Sequence, residues 1–237
     1  MDQQPPINLN APPPAPAPAR WTAADTWLGL FLLILVVAGY LFAISRFEES
    51  RNLSLLYVAT FEFLLLIPIA IIFLWRKVSW QELGLRRFHR NMLVLGIGLL
   101  LPVYTVTIIN NVVMLALKVT VQAEVIAQLF DELDSPLLFA VVTAVIAPIT
   151  EELFFRGFLF KGLREKYGWV NALMFSSIIF ALFHGQVATL LPTFLLGALF
   201  SYLYQRTESV FPGMILHCAV NSLGICAILT ANQIRAL

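Results

Sequence analysis

The stretch WLGLFLLILVVAGYLFAI, residues 27–44, runs for 18 residues without a charged side chain. A helix needs about 20 mostly apolar residues to cross the hydrocarbon core of a bilayer, so this run reads as a membrane span. It is not a secretory signal: no basic segment leads directly into it, and nothing like a cleavage site follows. Six further apolar runs lie at about 53–75, 92–117, 136–160, 169–184, 188–204 and 210–230. All are too continuous for barrel strands, which alternate apolar and polar residues. In lipid each backbone polar group must find its partner within the segment, which makes the runs helices. The expected fold is all-α: a polytopic membrane protein of about seven transmembrane helices, with room for an eighth. Residues 118–135 carry Lys118, Glu124, Asp131, Glu132 and Asp134 and read as a partly amphipathic connection at the interface.

Composition agrees. The 237 residues are 59% hydrophobic and only 12% charged, against about half and about a quarter in soluble domains. So little charge cannot cover a globular surface, which excludes a soluble enzyme, a disordered protein and a nucleic-acid binder. Fifteen Lys and Arg against 14 Asp and Glu leave a net charge of +1, which names no partner. The two cysteines, Cys218 and Cys226, share one apolar run and form no disulfide framework. More than half of the 13 prolines fall in residues 1–20, so residues 1–22 read as an extended, disordered Pro/Ala-rich tail.

The basic residues are unevenly placed. Arg20, the second loop (Arg76, Lys77, Arg86, Arg87, Arg90), the fourth (Lys161, Arg164, Lys166) and the sixth (Arg206) put ten on one side. Arg46, Arg51, Lys118 and Arg235 put four on the other, and Arg156 lies inside the fourth run. Cytoplasmic loops are enriched in Lys and Arg, so the N-terminus is expected in the cytosol. The expected location is a multi-pass integral position in a bacterial inner (plasma) membrane.

An ionisable side chain at the bilayer centre costs about 2.5–3.5 kcal/mol on insertion scales, so those kept there have work to do. The candidates are Glu62, Glu151, Glu152, Arg156, His184 and His217, with the neutral Asn110, Asn111 and Asn221. On a helix Glu152 and Arg156 are four apart and share a face, where they pair. Glu151 is rotated by about 100° and has no local counter-charge. A desolvated carboxylate is a better proton acceptor near neutral pH, which makes Glu151 the candidate base and Glu152 the structural acid. The alternative is a purely packing ion network. Pro148, one turn before Glu151, is placed to kink the helix. Phe180 and His184 stand one turn apart, as do His217 and Asn221. A base, two imidazoles and an amide donor on three separate runs are what hydrolysis of an amide by water requires.

Glu151-Glu152-x-x-x-Arg156, Phe180-x-x-x-His184 and His217-x-x-x-Asn221 resemble, in order, the EExxxR, FxxxH and HxxxN motifs of the CPBP intramembrane protease family. That family includes the type II CAAX prenyl endopeptidases and the Abi-like proteins. The chain is expected to divide into the tail 1–22, N-terminal transmembrane helices 23–135, a core 136–230 that the resemblance makes catalytic, and a short tail 231–237. The resemblance implies a cavity open to the cytosol. Glu151 would activate water with His184 assisting, His217 and Asn221 would hold the oxyanion, and Glu152, Arg156 and Phe180 would support the site. No cofactor is expected. If a metal were used, Glu151, His184 and His217 would hold Zn²⁺, but there is no HExxH and an Asn amide is a poor zinc ligand. The expected partners are membrane lipids and a membrane-associated or lipidated peptide or protein, and not nucleic acid. Competing readings are a proton-coupled transporter using Glu62, Glu151 and the histidines, and an inactive immunity or scaffold protein of the same family.

One expectation sits badly with the rest. At about 1.5 Å per residue, Glu151 and His217 lie some 15 and 12 Å below the cytosolic ends of their runs, but His184 lies about 24 Å deep. The fifth run must tilt, or begin below the interface, or turn at 185–188 inside the membrane. Glu62 reads as a packing residue, Asn110 and Asn111 as interhelical donors, and the sequon at Asn52 as accidental. The Arg86, Arg87, His89 and Arg90 cluster reads as a headgroup anchor.

Overall fold

A computed structural model describes residues 18–46, 57, 60–132 and 135–235. Most of the Pro/Ala tail, the sequon at Asn52, and Arg51 and Asp134 lie outside the described residues. Regular structure among the described residues is entirely helical. Helix α1 spans Ala23–Ile44; α2, Leu66–Arg76, follows a 3-10 turn at Glu62–Leu65. Helix α3 is Asn91–Ala116, α4 Gln122–Glu132 and α5 Pro136–Tyr167. Helix α6 is Trp169–Phe183; α7, Leu190–Thr207, follows a 3-10 turn at Val187–Thr189; α8 is Phe211–Arg235. Seven of these correspond to the apolar runs, and α4 is the interfacial connection. Five stretches are long and apolar enough to cross a membrane: α1, α3, α5, 187–207 and 211–230. At 11 and 15 residues, α2 and α6 are shorter. This is an all-α, polytopic integral membrane protein.

The helix ends sort into two layers. Thr22 caps α1 in a capping box with Asp25, and Arg76 at the end of α2 donates to that same Asp25 at 2.7 Å. Lys161 of α5 donates to the Glu82 carbonyl at 2.6 Å, and Arg164 pairs with Glu208 beyond α7 at 2.6 Å. The start of α1, loop 77–90, the α5–α6 turn and the α7–α8 turn therefore form one end of the bundle. That end holds all ten residues of the larger basic group, and we call it the basic end. The α3–α4 connection and the α6–α7 turn belong to the opposite end.

Burial separates centre from periphery. About half of the most apolar window of α5 and of 187–207 is buried, against 11% in α1 and α3. Phe154, Phe155, Phe158 and Phe160 of α5 are fully enclosed, while Leu74, Val94 and Leu101 are exposed on the outside, where acyl chains would lie.

Helix α5 is not regular. It widens into π turns at Val142–Ile146 and Glu152–Phe160, on either side of Ala147–Glu151. A proline ring inside an α-helix clashes with the carbonyl four residues earlier and removes a hydrogen bond; the wide turn immediately before Pro148 relieves both. Such π segments often mark functional sites. Gly157 permits the second one to sit against loop 77–90: a Cβ there would come within 2.7 Å of the Leu83 carbonyl oxygen.

The depth conflict resolves at the α5–α6 hairpin. Helix α5 does not end near 160 but continues to Tyr167, and Gly168, at φ +78°, turns the chain directly into α6. Gly168 is equidistant in sequence from Glu152 and His184, so an antiparallel hairpin brings them level. The extra two turns of α5 take α6 outward by the amount that His184 had seemed too deep. The following turn then lies inside the membrane: Asn110 of α3 donates to the Ala188 carbonyl at 2.7 Å, six residues before α3 ends. A buried turn needs such a partner, and Asn110 is the interhelical donor its position suggested.

Candidate active site

The second π segment presents Glu152 and Arg156 to the interior on one side. Both side chains are 1% exposed, and Arg156 Nη1 lies 2.7 Å from Glu152 Oε1. The guanidinium sits 4.3 Å from the centre of the Phe180 ring and 5.3 Å from that of Phe200, within cation–π range. Rings on two neighbouring helices thus take the place of water around a cation that would otherwise be costly to bury.

Helix α8 approaches closely enough for His217 to join this pair. Its Nδ1 is 3.2 Å from Glu152 Oε1. Gly213, one turn earlier, makes the approach possible, because a Cβ there would fall 2.5 Å from Glu152 Oε2. Glu152, paired with Arg156, is an acceptor, so His217 Nδ1 carries the hydrogen. His217 Nε2 then faces Glu151 Oε2 at 3.6 Å. Two acceptors at that separation need a proton or a bridging water between them. Glu151 Oε2 is buried with no hydrogen-bond donor among the described residues, so it offers an open lone pair to such a water.

His184 is set by its own helix end. Its Nδ1 lies 2.9 Å from the Phe180 carbonyl oxygen, which fixes Nδ1 as the donor and leaves Nε2 as a base. The Phe180 ring meets it edge to face at 4.8 Å. Asn221 donates one Nδ2 hydrogen to the Thr143 carbonyl, at the first π turn, at 2.9 Å, and keeps its second.

Glu151, Phe180, His184, His217 and Asn221 line one cavity of about 340 Å³. Its walls add Tyr104, Thr107 and Asn111 of α3 and Gln122 and Ile126 of α4. The structure therefore brings the three motifs together. Glu152 and Arg156 stand behind the wall. Glu62 does not line the cavity, but its turn lies against Ala147–Glu151. Cys218 and Cys226 are unpaired.

Sequence reasoning missed three contributors. Phe200 has no motif around it. Asn110 was read as a donor, but not as the support of the turn that carries His184. Glu152 was paired with Arg156, but its grip on His217 spans 65 positions; Gly213 one turn before a histidine was the only local signal. As for zinc, no group of three or more His, Cys, Asp or Glu residues is placed to hold a metal ion among the described residues.

Fold and cavity together define a class: polytopic helical membrane proteins with a carboxylate, two imidazoles and an amide around an intramembrane cavity. Comparison with known families narrows it. Residues 133–223, which hold every motif above, match the family described as type II CAAX prenyl endopeptidase Rce1-like, and the chain is similar to that family over this segment. It is 31% identical over 94 residues to the Bacillus subtilis protein named "Putative membrane peptidase YdiL", covering 40% of this chain and 38% of that one. It is 33% identical over 88 residues to UPF0177 protein YxdF of Lactococcus lactis, covering 37% and 48%. The chain thus aligns with less than half the length of the curated relatives it matches. No solved structure matches it.

Proposed function

We propose that the protein is an intramembrane endopeptidase that hydrolyses a peptide bond of a membrane-associated or lipidated substrate with water activated by Glu151. The observation that carries this reading is the open, buried Glu151 Oε2 facing His217 Nε2 at 3.6 Å inside the cavity that also holds His184 and Asn221.

Water held by Glu151 Oε2 and His184 Nε2 gives a proton to Glu151 as its oxygen attacks the scissile carbonyl carbon. In the resting site one proton lies on His217 Nε2, between it and Glu151 Oε2; the carbonyl oxygen becomes an oxyanion and accepts that hydrogen together with the free Nδ2 hydrogen of Asn221. Glu152, fixed by Arg156, holds the Nδ1 hydrogen of that imidazolium, as an orienting carboxylate does in other hydrolases. Glu151 then passes its proton to the leaving amine, and the C–N bond breaks. Donors fixed in a dry site need no reorganisation as charge develops.

The test is peptide profiling with purified wild type, Glu151→Gln and His184→Ala. General bases contribute about 10²- to 10⁴-fold, and Glu151→Gln should lose at least that while inserting normally. Full proteolysis by both variants would end this mechanism.

A further inference from the structure

The candidate cavity lies towards the end of the bundle opposite the basic loops, and the His217–Asn221 turn of α8 is its part nearest the basic end. Helix α3 contributes from Val103 to Asn111, but nothing before Pro102. Helix α5 contributes Thr143 and Glu151, the α6–α7 segment from Phe180 to Leu196, and α8 from His217 to Ile228. Gln122, Ala123 and Ile126 of the interfacial helix α4 complete the far rim. Towards the basic end the floor is closed: Glu152, Arg156, Phe155, Phe158, Phe200, Leu203 and Tyr204 are all at most 1% exposed.

Two expectations from the sequence therefore exclude each other. Ten basic loop residues against four put the basic end in the cytosol. The family resemblance puts the cavity mouth there. In this fold the mouth and the basic end are on opposite sides, so only one can be cytosolic. The chain's own charge decides which. The basic end keeps Arg20, Lys77, Arg86, Arg87 and Arg90 on exposed or half-exposed sites, where they meet anionic headgroups. The α3–α4 connection beside the mouth, residues 118–134, has one Lys against four acidic residues.

We infer that the site, read as the peptidase proposed above, takes its substrate from the non-cytosolic face, so that its substrates are peptide segments lying in or reaching the external leaflet and not lipidated C-termini presented in the cytosol. Such a segment would thread past α4 and the intramembrane 184–189 turn to Glu151.

The experiment uses the full chain carrying Cys218→Ala and Cys226→Ala in Escherichia coli inner membrane. Single cysteines are placed at Lys77 in the basic end, at Ala123 on the far rim and at Asn111 in the cavity wall. Lys77 and Ala123 are exposed. A membrane-impermeant maleimide should label Ala123→Cys and Asn111→Cys in spheroplasts at least tenfold faster than in inside-out vesicles, and Lys77→Cys the other way round. Equal or faster labelling of Asn111→Cys and Ala123→Cys in inside-out vesicles overturns the inference. A parallel arm adds an impermeant fluorogenic peptide library to each preparation, with wild type and Glu151→Gln. Cleavage that depends on Glu151 in spheroplasts only is the expected result, and cleavage in inside-out vesicles only overturns the inference. Expected labelling with no Glu151-dependent cleavage on either side refutes the peptidase reading, and with it the substrate statement.

Discussion

Removing the charge of Glu152 should cost the fold more than it costs the chemistry directly. In Glu152→Gln the shape is kept, but the Arg156 guanidinium loses the anion 2.7 Å from it while remaining 1% exposed between aromatic rings. Charge centres about 4 Å apart at an effective dielectric constant of about 20 attract by roughly 4 kcal/mol. Breaking a buried pair by removing one partner costs about 3–5 kcal/mol, which agrees. For a chain of this size each kcal/mol lowers Tm by about 2–4 °C, so Glu152→Gln should melt roughly 6–20 °C below wild type. Arg156→Gln should fall by a similar amount, because it strands Glu152. The double variant should melt well above the sum of the two losses, since neither charge is then left alone. The assay is thermal unfolding of the four proteins in one detergent. A Tm for Glu152→Gln within 2 °C of wild type, or additive losses in the double variant, would refute the buried-pair reasoning.

Asn110→Ala leaves the Ala188 carbonyl without its donor and should cost about 1–3 kcal/mol, read as a lower Tm. It should also reduce peptide cleavage more than Asn111→Ala does, because it frees the turn that carries His184. Gly213→Ala should destabilise although alanine is the better helix former by about 1 kcal/mol, because its Cβ meets Glu152 Oε2. Gly98→Ala, with nothing within 4 Å of its new Cβ, should hold or raise Tm in the same assay.

The helices were legible because lipid imposes a length and an apolar composition that a sequence shows directly. The Glu152–Arg156 pair was legible for the same local reason: four positions along one helix. The end of α5 was not. Residues 161–167 are polar enough to read as a loop, yet the helix continues through them because Lys161 and Arg164 are held by Glu82 and Glu208, which lie 79 and 44 positions away. The same limit hid the role of Phe200 and the grip of Glu152 on His217. Hydropathy reports where a side chain can be, and not what it touches.

That limit bears on how the site is built. A buried polar network is costly when half satisfied, and a hydrolase must keep one base unsatisfied until its substrate arrives. This chain separates the two demands by one residue. Glu152 takes the cation and the imidazole and is closed off among aromatic rings, while Glu151, about 100° around the helix, keeps an open oxygen towards the cavity. Exchanging the neighbours' environments would bury the base beside Arg156 and leave His217 without its anchor. Adjacency in sequence with opposed facing is therefore what lets a stabilising carboxylate and a reactive one occupy the same turn of α5. It also predicts that Glu151→Gln, unlike Glu152→Gln, leaves Tm within about 2 °C of wild type. A loss as large as that of Glu152→Gln would mean that both carboxylates are structural.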